Sequence, residues 1–197
     1  MYKPCKYLLA ATALLIVLSQ GFMVYAAQKD YRESLKNLKL YVPENPEDRA
    51  YLGIKEKSGQ IPLEKIKADI LLIEIFSMYC PHCQKQAPEL NKLYQAIDSN
   101  EEFRDKIKII GIGVGNSPYE VGIFKEKYSS PFPLFDDRHS AVVNGFTGIL
   151  TPHFFGLKKL SDSSFEVFYS KDGTFSDAED FLEMIVKSSG MKLGGNK

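Results

Sequence analysis

Apolar positions change their period once across residues 70–97. Ile70-Leu71-Leu72-Ile73, then Glu74, then Ile75-Phe76 form a nearly unbroken run, the pattern of a strand buried on both faces. From Ala87 the spacing turns helical, with Leu90, Leu93, Tyr94 and Ile97 following. Ser77-Met78-Tyr79 and the tetrad Cys80-Pro81-His82-Cys83 lie between the two patterns. The chain therefore predicts a strand that runs directly into a helix, with two thiols at the junction. A second apolar run at 107–114 reads as another buried strand. Its glycines, Gly111, Gly113 and Gly115, do not have G-x-G-x-x-G spacing and no lysine follows, so they mark a strand exit rather than a phosphate loop.

The same reading places the remaining elements. Ser117-Pro118 opens a helix with Val121, Phe124 and Tyr128 on its apolar side. A short strand is expected near 132–135 and a turn at Asp136-Asp137, where a solvated turn outweighs a metal site. A short helix is expected over 141–146. Residues 153–157 and 165–169, separated by Ser161-Asp162-Ser163-Ser164, predict an antiparallel hairpin. Ser176 and Glu179 suggest a capping box for a last helix carrying Phe181, Leu182 and Ile185, and Gly190 ends it. Residues 51–55 read as a strand partnered by Gln60-Ile61. The order strand-helix-strand-helix, then hairpin and helix, implies an α/β protein with a central mixed sheet flanked by helices.

Composition alters this picture little: 197 residues, 44% hydrophobic, 25% charged, formal net charge zero. One well-buried core is expected, and the charge balance carries no nucleic-acid footprint. The N-terminus changes it more. Lys3 and Lys6 precede an apolar stretch over 7–18, Gln20-Gly21 break it, and Val24-Tyr25-Ala26 has the small residues of a cleavage site. Residues 1–27 thus read as a signal peptide or as an uncleaved membrane anchor, the span approaching the roughly 20 residues a membrane helix needs. Either implies a periplasmic or other extracytoplasmic location. Residues 28–50 read as a linker, in which 28–40 is a spacer or a short helix with Tyr31, Leu35 and Leu38 at rough helical spacing; 51–190 read as the main domain and 191–197 as a flexible tail.

Of three cysteines, Cys5 falls in the leader, which leaves Cys80 and Cys83 to be read as one unit. At a helix start the first thiol faces unpaired backbone N–H groups and the positive end of the helix dipole, both of which favour thiolate. Cys80 is the expected nucleophile, and Cys83 the thiol that closes a Cys80–Cys83 disulfide. A structural disulfide or a zinc half-site are the rival readings. Zinc needs four ligands, and His82, His139 and His153 are scattered. A haem site needs His where Gln84 stands. Glu74 is an ionisable group inside an apolar strand. Burial without a partner raises its pKa and suits it to take the proton of Cys83, whereas a lysine partner or a solvent-facing strand end would leave it ordinary. His82 places a cation near the thiolate, or else simply faces solvent.

The tetrad in this context resembles the thioredoxin superfamily. The resemblance rests on Cys80-Pro81-His82-Cys83 between strand and helix, on Glu74 six residues earlier, on Pro88 within the helix, and on Thr151-Pro152 before a late strand. It implies a thioredoxin fold with an N-terminal extension and a central insertion. It also implies a cis Pro152 packed beside the sulfurs, with the Thr151 backbone pairing with an extended substrate. The stretch around Phe132-Pro133-Leu134-Phe135-Asp136 is similar to exported TlpA-type proteins, which implies a reductase of protein thiols, such as those of apocytochrome c, recharged by a membrane redox partner. Pro81-His82 is the dipeptide of DsbA-type proteins and implies an oxidase or isomerase. Tyr79 departs from the usual tryptophan. No cofactor beyond the cysteines is implied. A thiol peroxidase is a second reading: Ser77 fits its pattern, but Ile73 stands where it needs proline. A copper or zinc carrier is a third.

Overall fold

The apolar run at 70–76 becomes the middle strand of a five-stranded sheet. In this computed structural model, which describes residues 31–191, the elements are α1 (Tyr31–Asn37), β1 (Lys39–Tyr41), α2 (Pro46–Leu52), β2 (Gln60–Pro62), β3 (Ile70–Phe76), α3 (Pro81–Asp98) and β4 (Ile107–Gly113). They continue as α4 (Pro118–Tyr128), β5 (Leu134–Asp136), α5 (Ala141–Gly145), β6 (His153–Lys159), β7 (Phe165–Asp172) and α6 (Ala178–Ser189). The sheet order is β5-β4-β3-β6-β7, with β3 parallel to β4 and antiparallel to β6. This is the mixed α/β sheet that the element order implies, with β5 and α5 inserted before β6.

Alternation along β3 sorts the two faces of the sheet. Ile70 and Leu72 pack with Leu90, Leu93 and Ile97 of α3 and with Ile185 of α6. Farther along the same face, Phe76 joins Cys83 and Ala87 of α3 and Val121 and Phe124 of α4. Each large apolar side chain buried there stabilises the fold by about 1.5–3 kcal/mol. β4 supplies room for this packing: a Cβ on Gly111 would lie 2.5 Å from Leu134 Cδ2, and one on Gly113 2.9 Å from Val121 Cγ2. The opposite face is covered partly by the N-terminal elements. Phe155 of β6 meets Phe146 just after α5 with ring centroids 5.5 Å apart, and Ser34 of α1 donates to Gly145 O at 2.7 Å.

Four expectations need correction. Within 28–50, residues 31–50 are not a bare linker. Leu35, Leu38, Leu40 and Val42 are buried, and β1 pairs antiparallel with β2 through Leu40 opposite Ile61. The short helix that Tyr31, Leu35 and Leu38 allow is α1, whereas β1 buries only one apolar side chain, too few to produce a period. Residues 51–55 are not a strand: Asn45 caps α2, Pro46 opens it, and Gly53 closes it at φ 68°. The last helix is capped by Asp177, whose carboxylate accepts from Glu179 N and Asp180 N at 2.9 Å each, and not by Ser176. Asp136-Asp137 is not a solvated turn. Asp137 is buried and accepts the N–H groups of Val142 (2.9 Å) and Val143 (3.1 Å), while Asp136 pairs with Arg138. In the expected tail, Met191 packs against the core; the other tail residues and the leader 1–27 lie outside the described residues. No helix among the described residues is long and apolar enough to cross a membrane.

Candidate active site

The buried strand ends at Phe76, and Ser77-Met78-Tyr79 turn the chain into α3. Cys80 is the N-cap residue of that helix, in extended conformation (φ −83°, ψ 116°), and Pro81 follows in its first turn. The first turn holds no acidic side chain. The free N–H groups of the helix start are thereby left to its sulfur. Both cysteines are free thiols, Cys80 partly exposed and Cys83 fully buried. Pro81 and His82 are exposed beside them.

The two thiols are driven apart in acidity. Partial burial works against the Cys80 thiolate. Hydrogen bonds from the Thr151 side chain, from the Cys83 backbone and side chain, and from the His82 backbone outweigh it, so the Cys80 pKa is lowered. As a thiol, Cys80 donates to Thr151 O at 3.2 Å. Cys83 is pushed far up, chiefly by burial and further by the charges of Glu74 and Cys80, against a hydrogen bond with the Ser77 backbone.

Glu74 lies on the sheet face that carries α3, between Gly111 of β4 and Phe154 of β6. It is 2% exposed, and its Oε1 has no hydrogen-bond partner among the described residues. Burial, then the nearby Cys80 charge, raises its pKa to about 8. No lysine pairs with it there, and it does not point to solvent at a strand end. The Thr151–Pro152 peptide bond is cis. Pro152 is buried, and its carbonyl accepts Gly173 N–H at 2.8 Å. Cys80, Cys83, Glu74, Thr151 and Pro152 thus converge from β3, α3 and the loop before β6.

The histidines separate. His139 meets the Tyr41 hydroxyl at 2.5 Å, whereas His153 is buried between Asp172 and Ser170. Phe154 packs into the core, its ring tilted against those of Phe175 and Phe181.

Asn116 carries no signal in the sequence, yet it holds the active-site turn. It is buried, and its Oδ1 accepts Met78 N–H at 2.9 Å. Its own backbone N–H donates to Gly113 O at 2.9 Å, and its carbonyl accepts Asp137 N–H at 3.1 Å. It thereby ties the end of β4 to the residues just before Cys80, 38 positions away. Tyr79, where the superfamily usually has tryptophan, donates its hydroxyl to Glu120, the residue that completes the capping box of α4. Replacing Asn116 by alanine strands the Met78 N–H in a partly buried site. The expected cost is about 1–3 kcal/mol of stability, read in urea melts, with faster hydrogen exchange at Met78. Unchanged exchange at Met78 would remove Asn116 from this role.

Comparisons with known proteins agree with this geometry. The thiol-disulfide oxidoreductase ResA of Geobacillus kaustophilus (strain HTA426) is 26% identical over 117 residues, 58% of this chain and 62% of that protein. The chain spans between 41% and 62% of the length of the curated relatives it matches. Among solved structures, a secreted Mycobacterium tuberculosis disulfide oxidoreductase homologous to Escherichia coli DsbE superposes with a TM-score of 0.53 at 14% identity, over 79% of this chain and 98% of that one. The thioredoxin domain of a Bacteroides vulgatus thiol-disulfide oxidoreductase gives a TM-score of 0.52 at 17% identity, over 66% and 88%. These two establish a thioredoxin fold. A sequence profile of the AhpC/TSA family matches residues 47–160, a span that holds both thiols, Glu74, Asn116 and Pro152, and on that match this chain belongs to the AhpC/TSA family.

Proposed function

We propose that the protein is an extracytoplasmic thiol–disulfide oxidoreductase of the TlpA/ResA type that reduces disulfides in protein substrates. The observation that carries this reading is the stack of three groups: a partly exposed, acidified Cys80, a buried and strongly basic Cys83, and a buried Glu74 whose Oε1 has no partner among the described residues. The names of the relatives support the same chemistry.

In the first step the Cys80 thiolate attacks a substrate disulfide. A Cys80–substrate bond forms, the substrate S–S bond breaks, and one substrate thiolate leaves. In the second step Cys83 attacks the Cys80 sulfur and passes its proton to Glu74, and the second substrate thiolate leaves. Two electrons reach the substrate, and the protein is left with a Cys80–Cys83 disulfide. The negative charge of Cys80 helps hold Glu74 protonated. Capture of that sulfur in a mixed disulfide removes the charge, so Glu74 ionises more readily when a base is needed. Pro152 packs beside the sulfurs without offering an N–H, and Thr151 meets the extended substrate. A membrane dithiol donor recharges the pair, and residues 1–27 export the domain or anchor it.

The direction of electron flow is tested by equilibrating the Cys80–Cys83 pair against a dithiol buffer. A reductant lies near roughly −270 mV. A value near roughly −120 mV would make the protein an oxidase of DsbA type, the outcome that Pro81-His82 favours.

A further inference from the structure

The loop that brings Thr151 to Cys80 is fastened from one side by a single carboxylate. Asp172, at the end of β7, accepts Leu150 N–H at 2.9 Å and meets His153 Nδ1 at 2.6 Å, both through Oδ1. These two residues flank Thr151-Pro152. The imidazole is itself set by Ser170, whose Oγ lies 3.0 Å from Nε2. A neutral imidazole satisfies both contacts, with Nδ1–H donating to Asp172 and Nε2 accepting from Ser170. In the sheet His153 stands opposite Asp172, and Gly173 N–H closes on Pro152 O at 2.8 Å.

The order Ser170–His153–Asp172 is that of a hydrolytic triad, but the burial is inverted. The imidazole is only 5% exposed, whereas the carboxylate is 43% exposed. A hydrolytic base needs the reverse, a buried acid behind an accessible imidazole. The connectivity suits position rather than proton transfer to a substrate.

We infer that Ser170, His153 and Asp172 form a clamp that positions Thr151 against Cys80 and thereby governs the reactivity of the attacking thiol. The inference rests on the exchange reading above for its purpose. Asp172 and Ser170 lie beyond the family match at 47–160. They are positioning residues, because they act through the backbone of the loop and not on the sulfur. Thr151 meets the sulfur directly, its carbonyl 3.2 Å from Cys80 Sγ, and its hydroxyl favours the thiolate; when the clamp opens both contacts loosen, and the balance moves away from the thiolate.

The test is a titration of Cys80, followed by thiolate absorbance and by the rate of iodoacetamide alkylation, in the full chain and its variants. Asp172→Ala is expected to slow alkylation at pH 7 by about three- to tenfold. Asp172→Asn keeps an acceptor for both Leu150 N–H and His153 Nδ1–H, so it should restore the rate. Ser170→Ala, a milder change at an exposed residue, should shift the titration in the same direction by less, and serves if Asp172→Ala does not fold. Asp172→Ala and His153→Ala should combine less than additively, since both release one loop. A Cys80 titration unmoved by Asp172→Ala, or an Asp172→Asn variant that behaves like Asp172→Ala, would overturn the clamp; the second result would assign the effect to charge. Alkylation reads Cys80 whether or not disulfides turn over. A wild-type protein without exchange activity would therefore sink the function proposed above and leave this inference standing or falling on its own data.

Discussion

Replacing Cys80 by serine is expected to abolish disulfide exchange, with a loss on the order of 10⁴-fold in turnover of a disulfide substrate. A hydroxyl at the helix start cannot supply a thiolate at neutral pH, and Cys83 cannot substitute for it. That thiol is fully buried, and its pKa is pushed far up by burial and by neighbouring charge. Cys83→Ala should behave differently. Cys80 still attacks, nothing resolves the bond, and the substrate stays covalently attached, close to one per chain on a non-reducing gel. The pair of variants separates the readings left open by the sequence. Continued consumption of a peroxide by Cys83→Ala, with no trapped adduct, would point to a one-thiol peroxidase. Tightly held stoichiometric metal with no disulfide turnover would point to a carrier.

Glu74→Gln carries the second large effect, and it acts on stability as well as on rate. In the unfolded chain this carboxyl ionises near its ordinary value of 4.5, whereas in the fold it keeps its proton until about 8. Between those values the unfolded state binds fewer protons than the folded one, so stability falls as pH rises. Below 4.5 both states are protonated, above 8 both are ionised, and the slope vanishes on either side. At about 1.4 kcal/mol per pH unit, the interval amounts to roughly 5 kcal/mol, lost by the wild type but not by the glutamine variant. Urea melts of the reduced proteins at pH 5 and pH 8.5 measure it; parallel pH curves for the two would show that Glu74 does not titrate as a buried acid. The same substitution removes the proton acceptor for Cys83, so resolution of the mixed disulfide should slow by about 10²–10⁴-fold and lose the rise with pH that follows Glu74 ionisation, a rise that lies below the value in the reduced protein because the Cys80 charge is gone. Attack by Cys80 should be nearly spared, since Glu74 takes no part in that step.

The two thiols and the buried acid were legible because their environment is built from near neighbours. β3 and α3 are consecutive, and a continuous apolar run followed by 3–4 spacing says which side chains turn inward. Once Leu72 and Phe76 are buried on the same face, Glu74 between them has no route to solvent through its own strand. The capping of α4 by Ser117 and Glu120 is equally local. Asp177 shows the limit of such reading. Ser176 and Asp177 both suit an N-cap, and the choice depends on where the loop leaving β7 delivers the chain. The N-terminal segment marks another limit: Tyr31, Leu35 and Leu38 carry a short helical period, but the alternation of Leu40 and Val42 is too brief to announce a strand, and its partner Ile61 is some twenty residues away.

Taken by itself, the sequence determined the strand-to-helix junction, the order of the two thiols on it, and an acid one strand residue deep beneath them. These follow from short-range sterics, helix-end electrostatics and the periods of burial. Only the tertiary structure decided what surrounds that junction. Asn116 reaches Met78, Asp137 accepts the Gly115 N–H of the loop after β4, and Asp172 fastens the Thr151-Pro152 loop from β7. Each is a hydrogen bond between segments far apart in the chain. A polar side chain carries no mark of its distant partner until the sheet is assembled, and burial then makes that partner compulsory.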